Sequence, residues 1–241
     1  MADKNLGPCI MERINYIKKY FSEHLENKKS YECLTTWQAW TIRNKAETEI
    51  TKRYEKHEKH YQQMKKKLSK KILHRPPPWQ KRTEQLYLTK KVHKIPTSYR
   101  PVISDVSSVT SFISKWLDVN FEILSLHHTQ SLLRDEADLW SHLSKLNPLP
   151  QRTHIFKSDT KSMYTSICTT HTKEQLKRWI QSLLDNNTIK NYPLSAVLEV
   201  LDIIMKHSTF DFGDTIWKQL TGVLMVIPSA YQLATLSYGI H

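Results

Sequence analysis

Glycine is scarce, with 4 in 241 residues. So few leave no room for a glycine-rich loop that cradles phosphates, and neither Walker A nor GxGxxG spacing occurs. Cysteine is rarer still. Cys9, Cys33 and Cys168 are odd in number, far apart and without CxxC or His-x-x-His neighbours. That supports neither a disulfide framework nor a zinc site, and fits a reducing compartment. No run of 18 apolar residues exists, so no membrane span is expected. Met1-Ala2-Asp3-Lys4 holds no apolar signal core. The expectation is an intracellular protein, nuclear or cytoplasmic. Acidic residues are also short, at 23 against 36 Lys/Arg, and no Asp-Asp pair occurs anywhere.

What is present is a globular composition, 39% apolar and 10% aromatic, long enough to bury a sizeable core. The net charge of +13 is concentrated: residues 51 to 94 carry 15 Lys/Arg against 3 Glu, which leaves the remainder near neutral. A basic block on a balanced protein points to a polyanionic partner, nucleic acid first. Lys65, Lys66, Lys67, Lys70, Lys71 and Arg75 are its densest part and the candidate nucleic-acid contacts; a solvated helix face is the alternative.

Hydrophobic spacing predicts an α+β fold. Ile14, Ile17, Phe21 and Leu25 mark a first helix. Ile50, Tyr54, His57, Tyr61, Met64, Leu68 and Ile72 stripe a long one from about Thr36 to Leu73, ended by Pro76-Pro77-Pro78. Two short strands are expected between Glu84 and Ser104. Helices follow over Val109–Leu126 and Asp135–Leu146, then a strand over Thr153–Lys157 leading to Asp159. Two more helices cover Thr172–Leu184 and Ser195–His207. Thr209–Lys218 reads as a hairpin turning at Gly213-Asp214, which makes the kinase-like Asp211-Phe212-Gly213 a turn and not a motif. Thr221 to Ile227 is a short apolar loop or strand, and Pro228 opens a last helix. The scattered tryptophans read as packing residues, and His127-His128 as the polar end of a helix.

The sharpest chemical feature is Asp159. A carboxylate at the end of a buried strand is held rigidly while its oxygens reach solvent, a good arrangement for Mg²⁺ and substrate phosphates. Around it, Phe156, Asp159, Tyr164, Thr165 and Ile167 keep a spacing that resembles the first catalytic motif of reverse transcriptases, most of all those of Penelope-like retroelements. Three further stretches, in order, resemble the same group. Ala2 to Gly7 with Ile10 to Arg13 and Tyr16-Ile17 is similar to its opening. Lys91-Val92-His93-Lys94 with Arg100 to Ser104 is similar to its fingers hairpin. Gln219, Gly222, Met225 and Pro228 are similar to its glycine loop.

This resemblance implies a partial right-hand polymerase: a basic helical region with the fingers hairpin over 1–105, and a fingers and palm portion with a small antiparallel palm sheet over 106–241. It implies RNA-directed DNA synthesis on a primer–template from dNTPs with Mg²⁺. Asp159 and the carbonyl of Thr160 would hold metal. Lys91, Arg100, Tyr164, Gln219 and Gly222 would hold the nucleotide, Tyr164 as the ring that clashes with a ribose 2′-hydroxyl. The sequence departs from the family pattern at Lys90 (proline in the family), at Val226 and Ile227 in the glycine loop, at Ala230-Tyr231 (Ala-Pro in the family), and in having no aromatic-x-Asp-Asp. Two-metal chemistry needs carboxylates from more than one strand. The expectation is therefore a truncated or degenerate polymerase fragment, inactive by itself. The alternatives are a non-catalytic nucleic-acid-binding protein using residues 51–94, or a helical interaction module using the Ile50–Ile72 stripe.

Overall fold

A computed structural model describes residues 11–59, 84–91, 95, 98–104, 108–128, 133, 135–146, 152–154, 156, 158–160, 162–225 and 227–240. The basic residues Lys65, Lys66, Lys67, Lys70, Lys71 and Arg75, the stripe beyond His57, and the opening motif up to Ile10 lie outside them.

The first helix, α1 (Arg13–Tyr20), continues into a π-helical turn over Phe21–Leu25. The wider π turn shifts its buried face. Tyr20 and Leu25 are covered, whereas Ile14 is 65% exposed, against expectation. Tyr20 stacks on Phe212 at 4.1 Å between ring centroids, and Phe21 meets Trp217 edge-on at 5.9 Å. A short strand that the pattern did not predict follows, β1 (Tyr31–Leu34). Helix α2 (Thr36–Lys56) opens on a capping box: the Gln38 amide donates to Thr35 Oγ1 at 3.2 Å, and the Thr35 amide to Gln38 Oε1 at 2.8 Å. Two otherwise unpaired donors are satisfied at once. Helix α2 buries Ala39, Ala46 and Ile50, and Tyr54 packs half-buried on the same core.

Strands β2 (Gln85–Lys91) and β3 (Ser98–Ser104) form the expected hairpin. Helices α3 (Ser111–His128) and α4 (Glu136–Ser144) follow. A single turn, α5 (Met163–Ser166), precedes α6 (Thr169–Asp185) and α7 (Leu194–Lys206). Strands β4 (Thr209–Phe212) and β5 (Thr215–Gln219) make the second hairpin, with Gly213 at φ 58° in its turn, and α8 (Ala230–Gly239) comes last. The three apolar helices enclose the core: Trp116, Leu117 and Phe121 of α3, Val200 and Leu201 of α7, and Leu233 and Leu236 of α8 are all sealed from solvent.

The fold is α+β, with eight helices and one five-stranded sheet among the described residues. The sheet order is β1-β5-β4-β2-β3, antiparallel except where β2 runs parallel to β4 with Gln85 opposite Asp211. It is thus mixed, not the purely antiparallel sheet expected. It draws strands from both sides of residue 105, and a single hydrophobic cluster reaches from Tyr20 to Leu236. The strand expected over Thr153–Lys157 is not seen at any described position there: Thr153, His154, Phe156 and Ser158 to Thr160 carry no strand, and Phe156 is 89% exposed. A strand exists only through its neighbours, and none of the five paired strands is drawn from this segment. Among the tryptophans, Trp116 and Trp217 pack inside as expected, but Trp37, Trp40 and Trp140 are largely exposed. No described helix is long and apolar enough to cross a membrane.

Candidate functional site

Hairpin register places the first two candidate residues. Thr89 pairs with Arg100 and Lys91 with Ser98. Residues directly opposite share a face, as do residues two apart on one strand. Lys91 and Arg100 therefore project from one face of the hairpin, diagonal to each other. Leu86, Leu88, Tyr99 and Ile103 take the other face and are buried. β3 is an edge strand, so it offers a rim along which a cleft can form.

That cleft has a volume of about 640 Å³. Lys91 and Arg100 line it together with Asp159, Thr160 and Tyr164. Five of the residues singled out from sequence thus converge although Arg100 and Asp159 are far apart in the chain. The electrostatics agree with the geometry. Burial, then the neighbouring Tyr231, pushes the Tyr164 phenol up, and the Arg100 guanidinium pulls it the other way. Asp159 and Thr160 are exposed, free to meet a ligand, but they sit on an irregular segment and not at a strand end.

Gly222 acts behind the cleft. It has φ 75°, and a Cβ there would come within 2.4 Å of the Tyr164 carbonyl oxygen. The next amide, of Val223, donates to that same oxygen at 2.9 Å. Gly222 therefore lets the loop press against the Tyr164 turn and hold it, without lining the cleft itself. Gln219 is not brought to the cleft. It is buried at the end of β5, where its Nε2 donates to the Thr221 carbonyl at 2.7 Å, and it borders a different cavity. Its part is to shape the loop after β5. Ile227, one of the departures from the family pattern, is buried and borders the cleft.

Sequence reasoning missed three cleft residues. His24 arrives on the π turn, Tyr99 from the core face of β3, and Tyr231 from α8, at the position where the family has proline. Burial holds the His24 imidazole below its ordinary range; Glu23 and a backbone hydrogen bond with Tyr99 oppose this, and Lys91 adds to it. No local pattern marks His24, because only the packing of α1 across the hairpin carries it there.

The donor set can be tested against Mg²⁺. Asp159 is the only carboxylate among the described residues that line the cleft. No cluster of three or more His, Cys, Asp or Glu suited to a metal occurs among the described residues. Mg²⁺ is commonly held by one or two carboxylates together with substrate phosphates. One carboxylate beside two cationic side chains fits a single ion that arrives with a triphosphate. Among the described residues, one carboxylate does not fit a resident pair of ions.

No protein-family model matches the chain, and no curated protein matches it.

Proposed function

We propose that this chain is the fingers and part of the palm of a retroelement RNA-directed DNA polymerase, which binds a primer–template and an incoming dNTP with Mg²⁺ in the cleft between the β2–β3 hairpin and the Asp159–Tyr164 segment. The carrying observation is the convergence of Lys91 and Arg100 with Asp159, Thr160 and Tyr164 in one cavity of about 640 Å³. Arg offers a planar fork to phosphate oxygens and Lys a point charge, while a carboxylate opposite can share a cation with the same phosphates. Gly222 packs against the backbone of the Tyr164 turn, which fixes the position from which the Tyr164 ring would clash with a sugar hydroxyl. The four ordered sequence resemblances add to this reading.

A non-catalytic nucleic-acid-binding role is the second reading, favoured by Asp159 being the lone carboxylate lining the cleft among the described residues. The interaction-module reading has less support, because Ile50 and Tyr54 of its stripe are taken up by the protein's own core.

Calorimetric titration of a Mg²⁺–dNTP into the purified chain tests the proposal. Arg100→Ala is expected to weaken binding by about tenfold, the loss of one charge-assisted hydrogen-bonding group. Asp159→Asn is expected to remove the dependence on Mg²⁺. Equal affinities for wild type and both variants would sink the assignment.

A further inference from the structure

The residues that line the cleft fall into two chemistries. The β2–β3 hairpin brings the cations Lys91 and Arg100. The loop after β5 and helix α8 bring the apolar Met225, Ile227 and Ala230 with the ring of Tyr231. Tyr164 adjoins both sets: its turn, α5, packs on α8, and its phenol feels the Arg100 guanidinium as well as the Tyr231 phenol. Two cations joined through one aromatic residue to an apolar patch with a second ring suit an anion that carries a flat apolar group, not a bare anion.

Tyr231 stands open on a fixed base. It is 59% exposed, whereas Tyr99, which lines the same cleft, is 8% exposed. Its backbone is pinned to α3 on both sides. Before it, the Ser229 amide donates to Ser114 Oγ at 3.2 Å, and the two hydroxyls lie 2.9 Å apart. After it, Ser125 Oγ donates to Gln232 Oε1 at 2.6 Å. Ile227 and Ala230 are buried, and the Ala230 amide donates to the Ile227 carbonyl at 3.0 Å. The Tyr231 side chain itself makes no hydrogen bond to a described residue. Isolated exposed aromatics are ordinary on a surface. This one differs in its anchored backbone and in sharing a cleft with two cations, so little ordering entropy remains to be lost when a flat group meets it.

We propose that Tyr231 is the platform on which the base of a bound nucleotide stacks, with the triphosphate at Lys91 and Arg100 and the sugar beside Tyr164. The inference rests on the reading of the cleft as a dNTP site and adds the group that holds the base. A cavity of about 640 Å³ is within the size range of small-molecule sites and has room for a whole nucleotide. Every base presents a π-face, so the platform tightens all four alike. The tyrosine hydroxyl can stay in water while its ring covers the base. The base is then held by the protein itself, and free dNTP binds without a template strand to pair with.

The test compares a ligand that has a base with one that has none. The full chain is titrated by calorimetry with each of the four Mg²⁺–dNTPs and with inorganic tripolyphosphate and Mg²⁺, in the absence of any template. The dNTPs are expected to bind more tightly than tripolyphosphate. Tyr231→Ala should weaken all four dNTPs by about tenfold and leave tripolyphosphate unchanged, while Tyr231→Phe, which keeps the ring, should bind dNTP like the wild type. Arg100→Ala should weaken both kinds of ligand. Because Tyr231 is largely exposed, its variants should melt at the wild-type temperature. If Arg100→Ala weakens both ligands and Tyr231→Ala neither, the platform falls and the cleft reading stands. Equal losses of dNTP and tripolyphosphate in Tyr231→Ala also overturn the platform. If Arg100→Ala changes neither ligand, the cleft reading falls and the platform with it.

Discussion

Gly222 is the residue on which the Tyr164 turn leans, and the conflict that any side chain would meet there is with backbone. A Cβ would lie 2.4 Å from the Tyr164 oxygen and 2.6 Å from Thr165 Cα, and its φ of 75° is strained for any L side chain. Gly222→Ala is expected to destabilise the fold by about 2–3 kcal/mol, seen as a lower midpoint in urea denaturation, and to weaken dNTP binding by displacing Tyr164. A second residue-scale prediction concerns Asp118 on α3. Burial, reinforced by Glu122 one turn on, pushes its carboxyl up to about 6. The folded chain thus holds this proton more tightly than the unfolded chain. Stability is full below the unfolded value and declines as pH rises through the window from about 4 to 6. Asp118→Asn should match the wild type near the acid end of that window. It should exceed it by about 1 kcal/mol at neutral pH, a figure reduced for solvent screening of a half-buried group. Thermal melts across that range would show it, and identical pH profiles would refute it.

At the scale of elements, α2 is tied to α7 by one carboxylate. Glu199 receives Arg53 Nε at 2.7 Å and Lys56 Nζ at 2.5 Å, with His57 Nε2 at 3.3 Å. These three sit in and just beyond the last turn of α2, where positive charge also complements the helix end. Burial raises the Glu199 carboxyl, but Lys56, His57 and Arg53 outweigh it and hold the group below its usual range. Its contribution is therefore present at neutral pH and lost as pH falls through the folded value. Glu199→Gln is expected to cost about 1 kcal/mol at low ionic strength, less at high salt, and little in acid. A cost in urea denaturation that ignored both salt and pH would assign Glu199 a packing role instead. Element prediction succeeded where periodicity was long or a turn was explicit: α6 buries Thr172, Leu176 and Ile180 at steps of four, and Gly213 turns the second hairpin. It missed β1, whose Tyr31 to Leu34 is too short for alternation to register and forms by pairing with β5.

For the molecule as a whole, the expected outcome is binding without synthesis. Among the described residues the cleft offers one carboxylate where two-metal phosphoryl transfer uses several, and misplacing reacting groups by about 1 Å already costs on the order of 100-fold. The purified 241-residue chain should bind primer–template with an affinity that falls with salt, at a logarithmic slope of about −0.7 to −0.9 per phosphate neutralised, and show no primer extension with Mg²⁺ or Mn²⁺. Clear dNTP incorporation that disappears in Asp159→Ala would reverse this prediction.

The sequence alone marked most of the helices and both hairpins, because period and turn chemistry are local properties, though the long second helix ends at Lys56 and not near Leu73; its resemblance to reverse transcriptases marked Lys91, Arg100, Asp159 and Tyr164. Tertiary structure alone decided that these four meet in a cleft, and that His24, Tyr99 and Tyr231 join them. It also left Thr153, His154, Phe156 and Ser158 outside any strand, since β-pairing depends on a distant partner that no local pattern encodes.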